Sequence, residues 1–184
     1  NWESMAALMD ENMHYEDRQS LFRFKGDKAL VMSSARERAQ IGARSEGRLV
    51  GTAGDRIAVL RVLYSGGPDD GRFESEVLTL IEVDEHGLLA AVIHFDPDDP
   101  RAVQREAWAR WIAIEPGVAD VLTPLGELLD AFNDQNAEKW RAACANDIVV
   151  EDNRRTGMGR IDGADAFLAS VVAVRAHGVS GCAS

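Results

Sequence analysis

Cysteine is scarce in this 184-residue chain: Cys144 and Cys182 are the only two, and they stand far apart. A disulfide framework is therefore excluded, and a reducing cytoplasm is the expected compartment. Positive charge is also in short supply. Only 20 basic side chains face 31 acidic ones, for a formal charge of −11. That balance excludes a nucleic-acid or anionic-membrane surface, because phosphates are held by clustered Lys and Arg that release counterions. No uncharged apolar run approaches the roughly 20 residues a bilayer requires, and no basic segment followed by an apolar one opens the chain. His14, His86, His94 and His177 show no close pairing, and neither cysteine has a second one nearby, so no metal site is expected. No Gly-x-Ser-x-Gly elbow occurs. The glycines at Gly157 and Gly159 lack the Gly-Lys-Ser/Thr ending of a phosphate loop. No cofactor is expected.

What is present is enough to fold. Apolar residues make up 46% and charged ones 28%, the balance of a chain that can bury a core. Asn1-Trp2-Glu3 reads as the middle of something larger, so a fragment of a longer protein is expected.

An internal repeat organises the reading. Residues 2–17 (WESMAALMDENMHYED) and 140–152 (WRAACANDIVVED) are each a short helix running into a β-rich segment that ends in Glu-Asp. A Gly followed by a helical pattern comes next in both, over 25–34 and 162–171. The two copies are a domain length apart rather than a solenoid repeat apart.

Between them lie four strand-like segments, 43–52, 56–65, 72–83 and 88–96. Each is rich in Val, Ile and Leu and separated from the next by Gly-, Asp- or Pro-bearing turns. Connections this short join antiparallel neighbours, since a parallel return needs a dozen residues or more. A helix is predicted from Pro100, behind Asp98-Asp99, with Val103, Ala107, Trp108, Trp111 and Ile112 as its apolar stripe. Trp108 and Trp111 are read as a packing face between two units. Beyond Glu115-Pro116-Gly117 a second unit is expected, opening on a helix capped by Thr123 with Pro124 at its first position. Its buried face is predicted as Leu125, Leu128, Leu129 and Phe132. A short helix over 137–145 and a final one over 163–177 follow. The predicted domains are 1–115 and 118–184.

Helix, a strand ending in Glu-Asp, a loop, a helix beginning at Gly and then a long meander resembles the nuclear transport factor 2-like superfamily, which includes SnoaL-like cyclases and ketosteroid isomerases. Residues 145–152 (ANDIVVED) and the late turn at 83–87 (VDEHG) carry the resemblance most specifically. It implies an α+β fold in which a curved antiparallel sheet bears helices on its concave face. Here the first unit would lack its first helix, and a partial second copy would follow. It also implies a pocket for a small hydrophobic or carbonyl-bearing ligand and a homodimer through the sheet face.

In ketosteroid isomerases the base is an aspartate at the end of the first strand, and Asp17 and Asp152 occupy the matching positions. The chain departs from that enzyme where its tyrosine and second acid are expected, at Leu128 and near Thr79. Strand periodicity puts Tyr15 and Asp17 on one face, with His14 and Glu16 on the other. The resemblance turns His94 and Asp96 inward as well. The catalytic candidates are Asp17 as base, His94 as relay and Tyr15 as donor, with Thr79, Asp96, Arg18, Asp152 and Arg154 as ligand-binding candidates. The bland alternative makes His94 a satisfied rim residue and has Asp17 bond Arg18 or the loop. For Arg18 and Arg154 the choice lies between holding an anionic ligand group and pairing with Glu16, Glu151 or Asp152. The functional expectation is a small-molecule-binding or regulatory module. The alternative is a cofactor-free isomerase, cyclase or hydratase-like enzyme that abstracts a proton next to a carbonyl.

Overall fold

The computed structural model describes residues 1–67 and 71–176. His177, Cys182, the last residue of the final predicted helix and the centre of the turn at 66–71 lie outside the described residues. The chain divides into two compact units, Asn1–Gly117 and Val118–Ser184.

In the first unit α1 (Trp2–Ala7) leads into β1 (Met9–Asp17), β2 (Phe24–Gly26) and α2 (Lys28–Gln40). Four longer strands follow: β3 (Arg44–Ala53), β4 (Ile57–Gly66), β5 (Phe73–Val83) and β6 (Leu89–Phe95). Helix α3 (Pro100–Ile114) closes the unit. The strands form one six-stranded sheet in the order β2-β1-β6-β5-β4-β3. The meander β3 to β6 is antiparallel throughout, as its short turns predict. Gly54 makes the first of those turns with φ +64, and a Cβ there would lie 2.7 Å from Trp111 Nε1. Positive φ and the packed indole both demand glycine at that position.

The sheet as a whole is mixed, not antiparallel. β1 pairs parallel with β6, placing Asp17 opposite His94 and Tyr15 opposite Val92. This departs from the sequence expectation because β1 and β6 are joined by the whole intervening meander, long enough for a parallel return.

Helices cover both faces, not the concave one alone. Ile57, Val59, Leu78, Leu80, Ile93 and Phe95 point to one face and pack with Val103 and Ala107 of α3. Leu80 and Ile93 have no exposed surface, and burying each such side chain stabilises the fold by roughly 1.5–3 kcal/mol. Asp99 caps α3 by accepting from Ala102 N, with Pro100 in its first turn. Trp108 and Trp111, expected between units, pack against this sheet core.

On the opposite face Met32 of α2 meets Met9 and Met13 of β1. Helix α2 therefore leans on β1 and β2 rather than across the meander. A single residue, Asp27, connects β2 to α2 and caps the helix through Leu30 N. So tight a connection keeps the helix at the β1 side, and Gly26 leaves no room for a Cβ against Leu30.

The second unit comprises α4 (Ala119–Asn133), α5 (Ala137–Ala143), β7 (Val149–Asp152), β8 (Gly159–Asp162) and α6 (Ala164–Ala176), with β7 and β8 antiparallel. Trp140 stacks at 4.7 Å on Phe167 and joins Ala131, Cys144 and Ala164 in its core. Helix α4 begins before Thr123, so Pro124 sits inside it and Thr123 is no cap. The proline is the sixth residue of the helix, past its first turn, and forfeits the main-chain bond that an N–H there would donate to Asp120 O. The earlier start carries Leu122 into the buried set, while Leu125 and Phe132 are 38% and 41% exposed. From α4, Leu128 and Ala131 belong to the core around Trp140. Among the described residues no helix is long and apolar enough to cross a membrane.

Candidate functional site

Parallel pairing of β1 with β6, and antiparallel pairing of β6 with β5, sets Asp17, His94 and Thr79 in one row across three strands. Tyr15 lies two residues back on β1 and therefore on the same face. Asp17, Thr79 and His94 are 6%, 4% and 8% exposed and are the buried polar residues among those described. Burying polar groups is costly unless they find partners, so their hydrogen bonds define what the site can do.

His94 Nδ1 lies 3.1 Å from Tyr15 Oη and 3.7 Å from Asp17 Oδ2. Burial, then the neighbouring Asp17 charge, pushes the Tyr15 phenol up to about 12. The phenol keeps its proton at neutral pH, and which of the two atoms donates in the contact with His94 Nδ1 is set by the imidazole tautomer. Asp17 is itself fixed, since its Oδ1 accepts from Gln19 N at 2.9 Å. The adjacent main chain is pinned by Arg18 N donating to His94 O at 2.9 Å.

Thr79 differs from its neighbours. Among the described residues its Oγ1 has no hydrogen-bond partner. Tyr64 completes the aromatic wall, with its ring 6.3 Å from that of His94, and burial pushes its phenol up as well. A recess of about 390 Å³ opens beside Asp17, lined also by Glu16, Arg18, Arg23, Phe24 and Lys25.

The remaining sequence candidates stand elsewhere. Asp96 lies just past β6 and accepts from Ser20 N and from Ser20 Oγ at 2.6 Å, so it closes a loop. Arg18 donates to Glu16 at 3.0 Å and to Glu106 of α3 at 2.8 Å. Arg110 extends the chain of charges, donating to Glu106 and Glu82. This network ties the end of β1 to α3 on the face opposite Asp17, and it occupies Arg18. Arg154 grips Asp152 through Nε and Nη2 at 2.8 and 2.6 Å. Those hydrogen bonds hold the Asp152 carboxyl well below the usual carboxylate range. Among the described residues no cluster of His, Cys, Asp or Glu is built to hold a metal.

Sequence reasoning missed Tyr64, Glu106 and Arg110. Alternation within β4 places Tyr64 on the face of Leu60, but only the register Leu60↔Thr79↔His94 shows that this is the site's face.

No family model matches the chain, and no curated protein matches it. Among solved structures it is similar to AusH from Aspergillus nidulans, at 17% identity over 52% of this chain and 71% of that one, with a TM-score of 0.44. It is also similar to the BvnE pinacolase from Penicillium brevicompactum, at 16% identity over 60% and 84%, with a TM-score of 0.44. PrhC from Penicillium brasilianum NBRC 6234 aligns at 15% identity over 79% and 87%, with a TM-score of 0.45. At such scores these likenesses assign no role to any residue of this chain. By its own topology the first unit is an α+β fold, with a short hairpin, a helix and a meander whose last strand returns parallel to the first.

Proposed function

We propose that residues 1–117 form a small-molecule-binding module of a larger cytoplasmic protein, whose ligand presents a carbonyl or hydroxyl to Thr79, His94 and Tyr15. Thr79 carries the reading. A hydroxyl 4% exposed and without a partner among the described residues costs about 1–3 kcal/mol, and a ligand oxygen placed against it removes that penalty. The aromatic neighbours supply apolar contact around the polar row, the usual composition of a small-molecule pocket. Residues 118–176 repeat the order helix, strand, strand, helix, with Glu-Asp again closing the first strand. This supports a partial second copy of the same unit, one whose aspartate is already occupied by Arg154.

NMR titration with small ketones such as 2-tetralone tests the binding reading. Shifts concentrated at Tyr15, Tyr64, Thr79 and His94, and weakened by Thr79→Val, are expected. Shifts scattered over the surface, or unaffected by that change, overturn it.

A second reading is favoured by one observation, the 3.7 Å approach of buried Asp17 and His94. In it the Asp17 carboxylate takes a proton from the carbon next to the ligand carbonyl, and Tyr15 and Thr79 donate to the enolate oxygen. The proton then returns from Asp17 to carbon, with His94 able to carry it. Exchange of the α-protons of 2-tetralone in heavy water, lost in Asp17→Asn, is the expected result. Equal exchange by wild type and variant eliminates Asp17 as the base.

A further inference from the structure

Several arginines of this acidic chain are held by carboxylates, among them Arg18, Arg61 and Arg110, and Arg38 is placed differently. Arg38, in the last turn of α2, pairs with no carboxylate among the described residues. Its guanidinium instead lies 5.3 Å from the centre of the Tyr64 ring. That same ring stands 6.3 Å from His94, so Arg38, Tyr64 and His94 form one contiguous row. The charge is felt along it: burial raises the phenol pKa of both Tyr15 and Tyr64, and the Arg38 charge opposes each rise. Arg38 also lines a recess of about 240 Å³ with Arg44, Ser45, Tyr64 and Met5. Ser45 is the cross-strand partner of Tyr64, and Arg44 stands next to it on β3. Arg44 likewise has no carboxylate partner among the described residues.

Two guanidinium groups and a hydroxyl lining one recess, without a carboxylate partner among the described residues, make a local positive site. Guanidinium presents a planar fork of donors that a carboxylate fits with two parallel hydrogen bonds. Stacking on Tyr64 holds the Arg38 fork in place, which reduces the ordering cost of using it. Arg18 cannot serve, because Glu16 and Glu106 already occupy it.

We propose that the ligand is an acid: its carboxylate docks on Arg38, with Arg44 at the mouth, while its carbonyl or hydroxyl end reaches Thr79 and His94. The inference rests on the binding reading above and adds the ligand's chemical class. It selects keto or hydroxy acids over their neutral counterparts and over cationic molecules.

The test compares matched probes, 4-oxo-4-phenylbutanoate against its primary amide and 5-oxohexanoate against its amide, by NMR titration followed at Tyr64 and His94. The acids are expected to bind at least about tenfold tighter than the amides at low salt, and raising the ionic strength should shrink that margin. Arg38→Met, which keeps the stem and removes the charge, should abolish the preference, while Arg38→Lys should retain part of it. Arg36→Met is the control for folding and net charge, since Arg36 stacks on Trp2, and it should keep the full preference. Acids and amides bound equally, with Thr79→Val weakening both, overturn the acid inference and leave the binding site standing. An acid preference that survives Arg38→Met overturns the assignment to Arg38. Failure of all four probes to perturb Tyr64 or His94 overturns both readings.

Discussion

Two Glu-Asp strand ends, at 16–17 and 151–152, have the same local setting and very different surroundings. Each closes the first strand of a short antiparallel hairpin that is followed by a helix. Beside Asp17 runs β6, which contributes a buried imidazole; beside Asp152, among the described residues, runs only β8. Asp17 accordingly sits in a polar row with Tyr15, His94 and Thr79, while Asp152 is held by its near neighbour Arg154. A carboxylate at a strand end becomes a candidate base when a distant strand supplies its partner, and an ion-pair member when the next turn does.

The sharpest way to break this contrast is to remove each carboxylate in turn. Asp17→Asn is expected to lower α-proton exchange of 2-tetralone by about 10²–10⁴-fold, and Asp152→Asn to leave it unchanged. A loss from Asp152→Asn would show that the two strand ends are equivalent.

The cores give the next largest effect. Trp140→Ala should lower the opening free energy of β7 and β8 amides by about 3–5 kcal/mol, and Leu80→Ala that of β4 and β5 amides by about 2–5 kcal/mol. Hydrogen exchange reads each locally. A loss well under 1 kcal/mol in either place would mean that the named residue does not anchor that core.

Thr79→Val sharpens the picture of the polar row. Removing an unpartnered hydroxyl should raise the unfolding free energy of the ligand-free protein by up to about 1–3 kcal/mol in urea titrations. A clear loss of stability would show that the hydroxyl has a partner.

The smallest effect concerns acid. The hydrogen bond from Arg18 holds Glu16 below its ordinary value. For Glu106 burial pushes upward, but hydrogen bonds from Arg18 and Arg110 outweigh it and leave that carboxyl lowered too. Carboxyls lowered in the folded state stabilise it fully above their unfolded value of about 4.3. That contribution is lost as pH falls below it through the lowered folded values. With both groups partly exposed, each contributes on the order of 1 kcal/mol or less. Arg18→Met should therefore flatten the decline of urea stability below about pH 4.3. An unchanged slope would detach the network from stability.

The helices and longer strands of the first unit were legible because their signals are local: Asp99-Pro100 starts α3, and short turns make β3 to β6 antiparallel neighbours. Strand β2, three residues long, was read as a loop, and the cap of α2 by Asp27 was not foreseen. Helix α4 was misplaced because Pro124 is a strong local signal for a first turn, and an apolar residue upstream, Leu122, overrode it through burial. Within the site, alternation put Tyr15 and Asp17 on one face, but which arginines were occupied was not readable. Arg18 is occupied by Glu106, 88 positions away, whereas among the described residues Arg38 meets the Tyr64 ring and no carboxylate.

The amino-acid order by itself determined the longer elements of the first unit, the antiparallel meander and the side of β1 on which its carboxylate stands, since each depends on residues a few positions apart. Tertiary structure alone decided that β1 lies parallel to β6, that α2 and α3 cover opposite faces, and that Thr79 is buried without a partner among the described residues. Each of these follows from pairing between segments separated by most of a domain. Such pairing is selected by packing of the whole sheet, and no short window of sequence contains it.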